Sequence, residues 1–214
     1  MIKFFNSLQD NLKEIFSNPL SLATLFALIT LILIFIKIKK VKLDTKIIAR
    51  IGIALALATI LHFIKIVDLP NGAGSINLGS MLPIIVISFI YGPQIGMLTG
   101  FLFGVIYLLI SPYILHPLQV LFDYPLPFMA IGLAGYFKNK KYLGIFIAMS
   151  IEFFFHFISG YLFFGQYAPE GWSPALYSLI VNVSVVYGNL LIVLILFKAL
   201  PFNKFITNNE VLNQ

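Results

Sequence analysis

Long apolar runs alternate with short polar breaks along the whole chain. The runs cover residues 18–37, 46–66, 81–92, 94–111, 117–137, 142–165 and 174–198. About 20 helical residues, rising about 1.5 Å each, cross a hydrocarbon core, so each long run predicts a spanning helix. The run at 81–92 is short for a full span and is expected to borrow residues from the loop before it. That loop, DLPNGAGSINLGS at 68–80, has too many turn formers to be a spanning helix. Residues 1–17 are amphipathic, with Phe4, Phe5, Leu8, Leu12 and Phe16 near one face, which suits a helix lying in the interface. The run at 18–37 is too long for a signal h-region and is followed by lysines, so it is expected to stay as a helix. The pattern predicts an all-α membrane protein with seven spans. Its divisions are an N-terminal part, 1–45, with an extra transmembrane helix and a basic linker; a six-helix membrane domain, 46–200; and a cytoplasmic tail, 201–214.

Composition supports the pattern. Of 214 residues, 60% are hydrophobic and 10% charged, against roughly 25% charged in soluble domains. Mean hydropathy is +0.98. The absence of cysteine removes disulfides, thiolate metal sites and thiol catalysis. The net charge of +6 is not read as nucleic-acid binding, because the lysines sit between apolar runs. Lys37, Lys39, Lys40, Lys42, Lys46 and Arg50 flank one break, Lys138, Lys140 and Lys141 a second, and Lys198 and Lys204 the C-terminal end. With seven spans these share one side, which the positive-inside rule makes cytoplasmic. The N-terminus is then outside and the C-terminus inside a prokaryotic cell membrane.

Polar residues inside the runs carry the candidate chemistry. Residues 152–182 read EFFFHFISGYLFFGQYAPEGWSPALYSLIVN. This is two helices joined by a tight loop, with Ser173 and Pro174 as cap and first turn of the second. By residue count, Asp123, His156 and Asn182 lie at one level, roughly 9–14 Å below the outer surface. A carboxylate, an imidazole and an amide at one depth on three helices suggest a pocket open to the outside, since intramembrane polar groups are costly unless used. Tyr113, Tyr124, Phe163, Phe164, Trp172 and Tyr177 stand near that end and offer aromatic walls, although Trp172 also suits an interface anchor. Such a box fits a small, flat, cationic ring compound. Glu152, four residues before His156, reads equally as a local pair with it and is left out of the site. No nucleophile elbow, paired metal-ligand motif or nucleotide loop occurs, so neither catalysis, a metal nor ATP use by the chain itself is expected. Gly52 and Ala56 form a small-xxx-small step that lets another helix approach, from within this chain or from a partner.

Three stretches resemble the thiamine-specific S component of energy-coupling factor (ECF) vitamin transporters. These are FFFHFISGYLFF with GQYAPEGW and ALYSLIVN; YILHPLQVLFDYPLPFMAIGLAGYF at 113–137; and LPIIVISFIYG with GMLTGFLFG at 82–104. The resemblance spans residues 46–200 and implies a six-helix S-component bundle that captures thiamine and docks on a transmembrane coupling subunit with two ATPase subunits. By the same resemblance Asp123 pairs with the ligand. His156 and Phe164 stack on its rings, while Tyr177 and Asn182 hydrogen-bond the pyrimidine. Tyr124 and Gly160 border the hydroxyethyl end, and Tyr113 is the aromatic before the acid. Gly52 and Ala56 match the step that meets the coupling subunit. Asp123 stands where the family usually has glutamate, Phe164 where it has tryptophan, and Gly52 where it has alanine. Residues 68–77 lack the aromatic lid of familiar members. Other readings are an S component for another vitamin or a thiamine precursor, and a stand-alone secondary transporter using Asp123 and His156 as a proton relay.

Overall fold

The computed structural model of the chain describes residues 43–70 and 73–211, with seven positions between Pro19 and Ile29. The predicted interfacial helix at 1–17 and most of the run at 18–37 and its basic linker lie outside the described residues. The seven described positions are helical, and Ala23 and Ala27 are buried against Phe122, Leu126, Ala130 and Phe155.

Helix α1, Thr45–Phe63, starts on Asp44, whose carboxylate accepts from Ile47 N at 2.7 Å. Strands β1, Lys65–Asp68, and β2, Ser75–Asn77, pair antiparallel. Next come α2, Leu82–Tyr91, and α3, Pro93–Ile110, which meet at Gly92 with φ +91°. The predicted span at 117–137 is broken into α4, Pro117–Asp123, α5, Pro125–Ile131, and a 3-10 stretch, Gly132–Lys140. Pro125 causes the first break, because it lacks the N–H and its ring crowds the carbonyl four residues back. Helix α6, Lys141–Phe163, folds back on α5. The last long run is α7, Pro174–Asn182, a π-turn, Val183–Tyr187, and α8, Gly188–Ala199. Ser173 caps α7 by accepting from Leu176 N at 3.2 Å. Every predicted run from residue 46 onward is helical, with boundaries within about three residues.

Two features depart from the expected pattern. The segment expected as a cytoplasmic tail contains helix α9, Phe202–Val211, and its Ile206 is fully buried in the main core with Phe89 and Phe197. The stretch at 68–80 is not a simple surface loop. Its β2 strand enters the bundle beside the π-turn, where Asn77 N donates to Asn189 Oδ1 at 2.9 Å and Asn189 Nδ2 donates to Ser75 O at 3.0 Å. Asn189 lies fifteen residues along the last run from Pro174, about 22 Å by helix rise. Extended backbone survives at such depth only when the protein supplies its hydrogen bonds, and Asn77 and Asn189 do so.

Close backbone packing fixes α3 against α5. A Cβ on Gly100 would meet Phe128 O at 2.0 Å, and one on Gly104 would meet Tyr124 O at 2.4 Å. Glycines four apart thus seat α3 directly on the chain around Tyr124, the small-residue packing expected where lipid gives no hydrophobic drive. The result holds Asp123 and Tyr124, at the junction of α4 and α5, in a fixed place.

Candidate functional site

Between the hairpin and helices α3 to α8 lies a cavity of about 310 Å³, at the lower edge of the usual range for small-molecule sites. All eight residues named from the sequence, Tyr113, Asp123, Tyr124, His156, Gly160, Phe164, Tyr177 and Asn182, line it. Phe163 and Trp172, expected as further aromatic walls, do not: Phe163 stacks on His116 at 5.3 Å, and Trp172 is exposed in the loop before α7.

Asp123 ends α4 and is held from two sides. Gln119, one turn earlier, donates from Nε2 to Asp123 Oδ2 at 2.6 Å and to Tyr113 O at 3.0 Å. His156 Nδ1, on α6, lies 3.6 Å from Asp123 Oδ1, an ion-pair distance rather than a hydrogen bond. The two side chains are about one-fifth exposed, so each is reachable from the cavity. Asn182 donates from Nδ2 to Ser178 O at 2.9 Å and to His156 O at 3.3 Å. Its N–H groups are thereby directed at the protein. The carbonyl oxygen has no hydrogen bond among the described residues, so Asn182 offers an acceptor to the cavity. Gly160 makes this crossing possible, since a Cβ there would meet Ser178 Oγ at 2.3 Å.

The mouth is aromatic. The Tyr113 ring stacks on Phe164 at 5.7 Å with 24° between planes, and its hydroxyl bonds that of Tyr167 at 2.6 Å. That bond raises the Tyr113 phenol above its ordinary range. The Tyr124 hydroxyl accepts from Tyr113 N at 2.8 Å and donates to Ser111 O at 3.1 Å. It therefore ties down the loop after α3, and only its ring is left to the cavity.

Several lining residues were not read from the sequence. Gln119 could have been, as it stands one turn before Asp123 on the same helix. His62, Tyr107 and Phe128 form an aromatic side wall, with the His62 ring 4.2 Å from that of Tyr107. Lys65, Asp68, Gly74 and Ser75 bring the hairpin into the wall. Glu152, left out earlier, also lines the cavity. Away from the site, Gly52 and Ala56 face outward, and among the described residues a Cβ on Gly52 would meet nothing within 4 Å. Packing within the described chain therefore does not explain that step.

A family model described as thiamine transporter protein matches residues 48–208. The chain belongs to this family. It is 34% identical over 161 residues to the thiamine transporter ThiT of Bacillus subtilis, covering 66% of this chain and 83% of that protein. Its identity to ThiT of Lacticaseibacillus paracasei is 32% over 161 residues, covering 65% and 76%. A solved structure of ThiT from Listeria monocytogenes superposes with a TM-score of 0.65 at 29% identity, covering 72% of this chain and 94% of that one. The chain is thus an all-α membrane protein of a transporter family, and not an enzyme.

Proposed function

We propose that this chain captures thiamine from outside the cell and hands it to an ECF coupling subunit driven by two ATPases. The observation that carries the reading is the convergence of Asp123, His156 and the Asn182 carbonyl on one cavity whose mouth is aromatic. A carboxylate suits the cationic thiazolium, an acceptor suits the aminopyrimidine, and ring faces suit both. Among the described residues, Lys46, Arg50, Lys138, Lys140, Lys141 and Lys198 stand at the helix ends away from the loops at 111–116 and 164–173 that form the mouth, which supports a mouth facing outside, an outer N-terminus and an inner C-terminus. The outward Gly52 and Ala56 give a flat strip for the coupling subunit.

Calorimetric titration of the purified protein with thiamine, beside mass spectrometry of small molecules that co-purify, tests the ligand. Saturable one-to-one binding of thiamine supports the reading, and a different co-purifying vitamin replaces it. The 3.6 Å approach of His156 to Asp123 favours a second reading, a stand-alone proton-coupled carrier. Reconstitution separates the two: uptake by the chain alone in vesicles favours the carrier, and uptake only with the ATPases present favours capture and delivery.

A further inference from the structure

Glu152 sits mid-way along α6, one turn deeper than His156. It is 5% exposed and lines the cavity. Its Oε2 is buried and has no hydrogen-bond partner among the described residues. The partner suggested by spacing, His156, turns its Nδ1 to Asp123 instead. A buried carboxylate oxygen without a donor is costly and is retained where something else supplies the donor. The space it borders is the cavity already described. Asn182, whose free carbonyl oxygen borders the same space, is a second acceptor without a donor.

We propose that Glu152 is a specificity-determining ligand contact: with the Asn182 carbonyl it accepts the two hydrogens of an exocyclic amine on the bound ring compound. Asp123 then answers the ligand's positive charge nearer the mouth, and Glu152 reads the amine at the floor. The two acids have separate duties because Asp123 is already held by the Gln119 hydrogen bond and the close approach of His156, whereas Glu152 Oε2 has no hydrogen-bond partner among the described residues. The inference rests on the thiamine reading above, since thiamine carries one such amine on its pyrimidine.

The test uses thiamine and its 4-oxo analogue, in which a carbonyl replaces the amine, titrated calorimetrically into wild type, Glu152→Gln and Glu152→Asp. Wild type should prefer thiamine. Glu152→Gln should lower that preference by about 10-fold, because its amide can donate to the carbonyl. Glu152→Asp, which keeps an acceptor, should bind thiamine more weakly with the preference retained. Ligand-free Glu152→Gln should melt no lower than wild type, as no internal bond is lost. An unchanged preference with thiamine still bound overturns the role of Glu152 alone, and so does a lowered ligand-free melting point or a loss of preference in Glu152→Asp. Failure of wild type to bind thiamine at all overturns the thiamine reading, and this inference with it.

Discussion

Around Phe197 the bundle is closed. That ring is fully buried and meets Phe89 at 6.0 Å, Tyr142 at 5.5 Å and Phe202 at 6.2 Å. Ile145 and Ile206 are fully buried in the same apolar cluster. Around Asp123 the backbone is interrupted instead: α4 breaks at Tyr124, a hairpin enters from the side, and the last run loosens into a π-turn. There the interruptions are held by side-chain hydrogen bonds from Gln119, Tyr124 and Asn189 rather than by shape. The closed region needs only the right volumes. The open region needs particular atoms in particular places, and it holds the cavity lined by Asp123, His156 and Asn182.

If the division is real, truncating the closed region should cost stability and not recognition. Phe197→Ala should destabilise by about 3–5 kcal/mol, the scale for a buried phenylalanine. Thermal unfolding in detergent measures the loss, and the folded fraction should bind thiamine as wild type does. A large fall in intrinsic affinity would show that the two regions are one.

Asn189→Ala sharpens the boundary between them. Asn189 lies in the last helix but its bonds reach β2. Leaving Asn77 N and Ser75 O without partners should cost about 1–3 kcal/mol of stability, and the displaced hairpin should weaken thiamine binding too. Asp123→Asn should act in one column only. It removes the ligand's counter-charge, for about 1–3 kcal/mol in affinity, while the amide can still meet Gln119, so the melting point should hardly move. Unchanged affinity by calorimetry would remove Asp123 from the site. Phe164→Ala should lose less, about 0.5–2 kcal/mol, and binding equal to wild type would end its stacking role.

The closed region and the span limits were legible in the sequence because hydropathy reports burial in lipid directly. Asp123, His156 and Asn182 were legible as one level because helix rise is constant. The hairpin was not, since its stabilising partners, Asn77 and Asn189, are 112 residues apart and β1 and β2 are too short to show alternation. Glu152 was missed for a related reason: its i+4 neighbour is a ready local partner, and only the fold reveals that Asp123 takes it. The π-turn has no composition signal in VSVVY. The hairpin packs beside it, where Gly188 leaves room for Ile76.

The smallest effect on the isolated protein, and the most informative about partners, is expected on the outer face of α1. Gly52 and Ala56 are exposed one turn apart and near the start of the helix, beside the lysine-rich end. Neither borders the cavity. A tryptophan at Gly52 projects into open space, so it creates no clash within the described chain. It does remove the flat strip that close helix approach needs. Gly52→Trp and Ala56→Trp should therefore leave both melting point and thiamine affinity within about 0.5 kcal/mol of wild type, the usual range for surface changes. In cells that contain the coupling module, the same variants should abolish uptake. A joint fall in melting point and affinity would instead mean that this face packs against the chain's own N-terminal run. Normal uptake would mean that the coupling subunit docks elsewhere on the bundle.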